Sequence, residues 1–333
     1  MASTDSALLS LRDFGVGFVE GDRTLMAVRG VDLALRPGET VGIVGESGCG
    51  KSVLSQSILR LLEHDQDIRY RGRIEFHDVD MIAAPLDEMR RIRGSRIAMV
   101  FQDPQSSFDP LCGVGSQIVE AIRAHKNVSR KEATRLAVRA MRSVGIEQAE
   151  NRFRSRPNAF SGGQLQRLMI AMATALEPEV LIADEPTTAL DTTTQAGILD
   201  LLSSLVEKRK MAMLFVSHDL NVVATICERV NVMYCGKFVE SAPTDDLFDN
   251  PLHPYTRGLL DAAPPLEGAC PTRLAAIPGS VPPLGELSPG CSFSARCPYS
   301  DSRCEKACPP LSASEENGSF HLVACWHCNG KGH

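Results

Sequence analysis

Four short runs of the chain are flat and apolar, without alternation: Val41 to Gly45, Ile97 to Phe101, Val180 to Ala183 and Met213 to Ser217. Runs of this kind predict parallel strands covered on both faces. Ser52 to Leu62 carries leucine and isoleucine at helical spacing directly after a glycine-rich turn. The first run therefore predicts a strand, loop, helix unit. Between the second and third runs, Arg130 to Val144 places alanine, arginine and leucine at helical spacing, which predicts a helix-rich insertion. The pattern as a whole predicts an α/β core.

From about Asp249 the character changes. Prolines cluster between Pro264 and Pro298, and six cysteines fall between Cys291 and Cys328. This predicts a division into residues 1–248, with the helical subdomain at about 103–165, and a cysteine- and proline-rich extension over 249–333. No tandem repeat or low-complexity tract is present.

At 333 residues and 43% hydrophobic content, the chain can bury a substantial core. The longest uncharged stretches, such as Leu168 to Leu176, are well short of the ~20 apolar residues of a membrane span. Met1 to Ser10 has no positive leader and no long apolar run, so a cytosolic protein is expected. The formal charge of −6 gives no general reason to bind nucleic acid. The eleven cysteines read as reduced thiols or metal ligands in such a chain.

Gly45-Glu46-Ser47-Gly48-Cys49-Gly50-Lys51-Ser52 fits the phosphate-loop pattern and stands where that pattern requires, between a strand and a helix. The glycines let successive N–H groups turn inward, and the helix N-terminus adds a positive dipole end. Lys51 supplies a compact charge, and the Ser52 hydroxyl suits the shell of a hard cation such as Mg²⁺. The segment Val180-Leu181-Ile182-Ala183-Asp184-Glu185 is an apolar strand ending in two acids, a costly place for charge unless a cation or a reaction needs it. Asp184 is expected to support Mg²⁺ and Glu185 to polarise water. Seen alone, the pair could also be a helix N-cap followed by a solvated acid.

Phe160-Ser161-Gly162-Gly163-Gln164, shortly before that strand, resembles the signature of ATP-binding-cassette ATPases. Gln102 resembles the family's Q-loop glutamine, Thr188-Ala189-Leu190-Asp191 its D-loop, and His218 its switch histidine. Phe18 is the best match to the aromatic that stacks on adenine, with Phe14 competing. Phe160 departs from the usual leucine, but Ser161, Gly162 and Gly163 are as in the family. The resemblance implies a phosphate-loop NTPase cassette: a RecA-like parallel core, an N-terminal antiparallel β part and a helical subdomain. It implies Mg-ATP as cofactor, with Mg²⁺ held through Ser52, Gln102 and Asp184. It also implies head-to-tail pairing, in which Ser161, Gly162, Gly163, Gln164 and Asp191 face the partner's ATP. With Glu185 and His218 both present, a hydrolytically competent site is expected.

His253-Pro254-Tyr255-Thr256-Arg257-Gly258-Leu259-Leu260, then Ile277-Pro278-Gly279 and Gly290-Cys291, resembles the extension of peptide and nickel importer ATPases. Cys291, Cys297, Cys304 and Cys325 are spaced by five, six and twenty residues, and four thiolates could hold an iron–sulfur cluster or zinc. The resemblance favours a [4Fe-4S] cluster. Cys308 and Cys328 could replace one of the four, and Cys49, Cys112, Cys227, Cys235 and Cys270 read as incidental thiols. The resemblance further implies two transmembrane permease subunits, a second, non-identical ATPase, an extracytoplasmic substrate-binding protein and a place on the cytoplasmic face of the inner membrane. Di- or oligopeptide uptake is the leading reading. The alternatives are nickel or another small solute, a non-transport cassette ATPase acting on DNA or ribosomes, and, last, an iron–sulfur carrier.

Overall fold

The computed structural model describes residues 7–64, 67–188, 190–263, 276–287, 289–313 and 320–328. Ala189 of the D-loop, the thiol Cys270, the start of the proline cluster and the first six residues of the leader reading lie outside these. The strands are β1 (Leu9–Glu20), β2 (Arg23–Leu35), β3 (Thr40–Val44), β4 (Ile68–Phe76), β5 (Val79–Asp80) and β6 (Ile97–Val100). They continue with β7 (Val180–Asp184), β8 (Ala212–Ser217), β9 (Arg229–Tyr234), β10 (Lys237–Pro243), β11 (Ser312–Ala313) and β12 (Leu322–Val323).

The chain forms two compact units. The first comprises Met1–Leu35, Thr40–Ile82 and Phe215–His333, so the C-terminal extension packs with the N-terminal strands. Its antiparallel sheet runs β2-β1-β4-β5. β1 alternates Leu9 and Leu11 inward, breaks register at the exposed pair Arg12 and Asp13, and resumes with buried Phe14 and Val16. A second group of strands runs β11-β12-β10-β9-β3. β3 and β9 are parallel, whereas the pairs β9–β10, β10–β12 and β12–β11 are antiparallel.

The second unit comprises Arg36–Glu39 and Ala83–Leu214. β6 and β7 pair in parallel, with Ile97 opposite Val180 and Val100 opposite Ala183. Every residue of both strands is buried, as their flat apolar sequences predict. The insertion holds the helices Val114–His125, Arg130–Ser143 and Gly162–Thr174. Ser129 caps the second of these, its hydroxyl accepting from the Glu132 N–H. These helices bury Ile118, Ile122, Ala137, Met141, Leu165 and Met169, a small apolar core of their own. β8 carries the chain from the second unit into the first.

The four flat runs thus form β3, β6, β7 and β8 within one residue at each end. The helix expected over Ser52 to Leu62 is shorter, Lys51–Ile58, followed by a 3₁₀ turn over Leu61–His64. Arg60 breaks it by adopting a left-handed conformation at φ +51°, and its guanidinium meets Glu63 at 2.7 Å. No helix among the described residues is long and apolar enough to cross a membrane.

Candidate functional site

The first unit carries Phe18, the phosphate loop and His218; the second carries Gln102, Ser161 to Gln164, Asp184, Glu185 and Asp191.

The loop follows β3 directly, and Gly50 caps the helix Lys51–Ile58 at φ +105°. A side chain at Gly45 would collide with the Met233 carbonyl at the end of β9, so the loop leaves the sheet where only glycine fits. Ser47 and Gly48 are exposed, while Cys49 and Lys51 are buried. Burial pushes the Cys49 thiol up, against the pull of Lys51, so this cysteine is neutral packing, as the sequence suggests. Lys51 Nζ donates to the carbonyls of Gly45 at 2.7 Å and Glu46 at 3.0 Å. Ser52 is half-buried in the first helical turn.

Of the two aromatic candidates, Phe14 is fully buried and stacks on Tyr70 with centroids 6.1 Å apart. Phe18, four residues on, is half-buried. His218 is exposed just past the end of β8.

Asp184 is 2% exposed at the end of β7. Glu185 follows in a left-handed conformation at φ +48°, rare for a residue with a side chain and a common mark of functional positions. Its carboxylate accepts from Gln102 Nε2 at 3.1 Å and from Thr188 Oγ1 at 2.9 Å. The structure therefore brings Gln102 and Glu185 together.

Ser161 begins the helix Gly162–Thr174 with a reciprocal cap: its hydroxyl accepts from the Gln164 N–H and its own N–H donates to Gln164 Oε1. Phe160 is buried beneath the Arg152 guanidinium, 4.0 Å from the ring centroid. The aromatic ring thus has a packing partner of its own. Gly163 abuts the Thr194 methyl, leaving no room for a side chain. Thr194 in turn donates to Asp191 through its N–H at 3.0 Å and its hydroxyl at 2.7 Å. These bonds, the hydroxyl's first, hold the exposed Asp191 carboxyl below its ordinary range. Ser161, Gly162 and Asp191 all lie exposed.

In the extension, Cys291, Cys297, Cys304 and Cys325 line one small cavity, with His253 and His327 beside them. The Cys291 N–H donates to the Cys304 carbonyl at 2.7 Å, and Gly290 lies so close to that carbonyl that no Cβ would fit. Cys304 Sγ lies 3.5 Å from His327 Nε2, which meets Asp301 at 3.3 Å. Burial pushes the Cys291 thiol up to about 11. Its hydrogen bond with Cys328, first, holds the Cys325 thiol below its ordinary range. The two alternative thiols also have polar neighbours outside the four: Cys308 Sγ lies 3.2 Å from Lys237 Nζ, and Cys328 Sγ lies 3.2 Å from the Leu252 carbonyl oxygen. Cys227 and Cys235 are buried and Cys112 exposed.

Three long-range contacts escape sequence reasoning. Arg296 grips both Glu46 oxygens at 2.7 and 3.0 Å, Tyr255 Oη accepts from the Glu46 N–H at 2.8 Å, and buried His321 meets buried Glu240 at 2.7 Å. Each joins residues far apart in the chain, so no local pattern signals it.

A phosphate loop, an acidic strand end with its glutamine, and a capped Ser-Gly-Gly-Gln motif define an ATPase of the cassette class. Residues 28–188 match the family model described as ABC transporter, and residues 239–304 match that of the oligopeptide/dipeptide transporter C-terminal region. The chain is 46% identical over 322 residues to a probable peptide ABC transporter ATP-binding protein of Sinorhizobium fredii, covering 97% of this chain and 95% of that one. It is 44% identical to the dipeptide transport ATP-binding protein DppD of Bacillus subtilis, covering 96% and 94%. A solved dimeric, post-hydrolysis structure of the cassette MJ0796, bound to ADP and Pi, superimposes with a TM-score of 0.63 at 27% identity, over 71% of this chain and 98% of that one. The chain belongs to the ABC transporter family, as an ATP-binding subunit carrying the oligopeptide/dipeptide-type C-terminal region.

Proposed function

We propose that this chain powers the uptake of di- or oligopeptides. The observation that carries the reading is the union in one chain of the cassette with the oligopeptide/dipeptide C-terminal region, together with the names of full-length relatives. Its partners in this reading are two transmembrane permease subunits, a second, non-identical ATPase and an extracytoplasmic substrate-binding protein, without nucleic acid. It would sit on the cytoplasmic face of the inner membrane. The division of labour follows the sequence boundary: residues 1–248 bind and hydrolyse ATP, and residues 249–333 form the extension.

The residue roles are electrostatic. Phe18 faces adenine. The amides from Gly45 to Gly50 and the charge of Lys51 hold the triphosphate. As the resemblance implies, Ser52, Gln102 and Asp184 would hold Mg²⁺, which would supply neutralisation of phosphate charge. Glu185, oriented by Gln102 and Thr188, polarises the attacking water, and His218 contacts the γ-phosphate. Exposed Ser161 and Gly162, half-buried Gly163 and Gln164, and exposed Asp191 serve the ATP of the facing subunit. The dimeric state of the MJ0796 cassette supports this pairing.

Four thiols around one cavity, with an imidazole at its edge, are a donor set that fits a soft metal centre. We assign Cys291, Cys297, Cys304 and Cys325 to a [4Fe-4S] cluster, with Zn²⁺ as the alternative. The cluster's part would be to brace a proline-rich arm.

The test is reconstitution of the chain with its permease partners in vesicles, measuring ATP-dependent accumulation of a labelled dipeptide. Accumulation that stops on Glu185→Gln supports the reading. Accumulation of a nickel salt but no peptide would overturn the cargo assignment.

A further inference from the structure

Glu46, the second residue of the phosphate loop, has every polar group engaged; two of its four partners, Tyr255 and Arg296, come from the far C-terminal extension, and the other two, Cys49 and Lys51, from the loop and its helix. Its N–H donates to Tyr255 Oη at 2.8 Å. Its carbonyl accepts from Lys51 Nζ at 3.0 Å. Its two carboxylate oxygens accept from the two Nη atoms of Arg296 at 2.7 and 3.0 Å. Arg296 is 5% exposed and Glu46 29%, so the fork-to-fork pair is substantially shielded from water and salt.

The two C-terminal residues are themselves fixed. Tyr255 is wholly buried in the first turn of the helix Pro254–Ala262, where the His253 imidazole caps its N–H at 3.0 Å. Its ring packs on Tyr234 and Phe293, with centroids 4.6 and 5.3 Å away. The Arg296 guanidinium reaches the Tyr234 hydroxyl at 3.3 Å and, through Nε, the Pro278 carbonyl at 2.8 Å. A rigid aromatic platform therefore holds a hydroxyl and a guanidinium against one residue of the loop. That same residue's carbonyl holds the ammonium of Lys51.

A phosphate loop binds through amides that must all point inward together, and ordering them at the moment of binding subtracts from affinity. We propose that Arg296 and Tyr255 are positioning residues for the nucleotide: by clamping Glu46 they preorganise the phosphate loop, so that ATP affinity in this chain depends on its C-terminal extension. The role rests on the phosphate loop being the ATP site. Neither residue touches the nucleotide in this account; both act through Glu46 and Lys51.

The test uses the full-length chain for MgATP titration calorimetry and the reconstituted transporter for steady-state ATPase kinetics. Arg296→Ala is expected to weaken MgATP binding by about ten- to a hundredfold, the range for losing a charge-assisted pair. Tyr255→Phe, which removes only the hydroxyl, should weaken it less. Preorganisation acts equally on bound substrate and transition state, so KM for ATP rises while kcat at saturating ATP is retained. Arg296→Lys, keeping charge without the fork, should fall between wild type and Arg296→Ala. Glu46→Gln should weaken binding comparably, and the double variant Glu46→Gln with Arg296→Ala should be no worse than either alone. Wild-type affinity and KM in Arg296→Ala, a loss confined to kcat, or additive effects in the double variant would each overturn the proposal. If Arg296→Ala does not fold, Glu46→Gln decides in its place, since its side chain lies outside the extension: wild-type affinity there overturns the clamp. Lys51→Ala is the control beneath all of these, and retained MgATP binding in it would remove the phosphate-loop reading itself, independently of Arg296.

Discussion

Gln102 Nε2 donates to Glu185 Oε2 at 3.1 Å, and the register of two parallel strands explains why. Val100 of β6 stands opposite Ala183 of β7, and each of the bonded residues lies two positions beyond that pair. Adjacent parallel strands deliver their carboxyl ends to one place, where open α/β sheets build ligand sites. The left-handed backbone at Glu185 and the Thr188 hydroxyl at 2.9 Å then fix where the carboxylate points.

Glu185→Gln keeps this shape but removes the base. Turnover is expected to fall by about 10²- to 10⁴-fold, the range for a positioned general base, with MgATP affinity retained. Gln102→Ala removes one side-chain donor that orients the carboxylate and should lower kcat less. Phosphate release in the reconstituted transporter, alongside calorimetric ATP binding, checks both; unchanged turnover in Glu185→Gln would remove its role.

The legible parts of this molecule are those in which chemistry and chain order coincide. The eight residues from Gly45 to Ser52 are contiguous, and Asp184 and Glu185 announce themselves as charge at the end of an apolar strand. Both rest on local rules for strands, turns and helix ends. The Arg296 and Glu46 pair is separated by 250 residues, and neither residue is unusual in its own neighbourhood. Only the packing of the extension against the loop reveals it. The break at Arg60 escaped for a different reason: leucines at helical spacing continue through Leu62, so periodicity runs on while the backbone turns left-handed.

Phe14 and Phe18 separate a core role from a ligand role. Phe14 is fully buried against Tyr70, so Phe14→Ala should destabilise the chain by about 3–5 kcal/mol. Phe18 is half-buried, so Phe18→Ala should leave the unfolding midpoint nearly unchanged and weaken binding of adenine nucleotides. Denaturant unfolding and ATP titration on both variants decide; the reverse pattern would exchange the two roles.

The signature is held by local geometry that can be broken without touching the phosphate loop. Ser161→Ala removes the cap hydroxyl and should cost about 1 kcal/mol of stability. Any side chain at Gly163 must displace the Thr194 methyl, and Thr194 carries the bonds to Asp191. Gly163→Val should therefore abolish ATP-driven pairing of the cassettes while an isolated subunit still binds ATP. Size-exclusion chromatography of a Glu185→Gln background with MgATP measures pairing directly.

Stability should fall on mild acidification through His253. Burial, opposed by Glu240, brings its imidazole down to about 4 from the ordinary 6.5. Between these values the unfolded chain binds a proton that the folded chain does not, so stability is full above the unfolded value and declines as pH drops toward the folded one. The melting temperature should decrease from pH 7 to pH 5. His253→Asn keeps a capping acceptor for the Tyr255 N–H and should flatten that slope in a thermal-shift series.

Cys297 follows Arg296 directly, so whatever holds the cysteine also holds the guanidinium that grips Glu46. The four thiols line one cavity, so a bound centre would tie together the segments that carry them. Anaerobically purified chain is expected to contain iron and acid-labile sulfide and to absorb broadly near ~400 nm, with all three lost in Cys297→Ser. Zinc without sulfide would leave the brace but replace the cluster by a structural zinc site, and neither metal would reduce the thiols to packing. Where the centre is lost, KM for ATP should rise as it does in Arg296→Ala, because both changes release the same clamp. A metal-free Cys297→Ser chain with wild-type KM would show that the arm holds Arg296 by its aromatic platform alone.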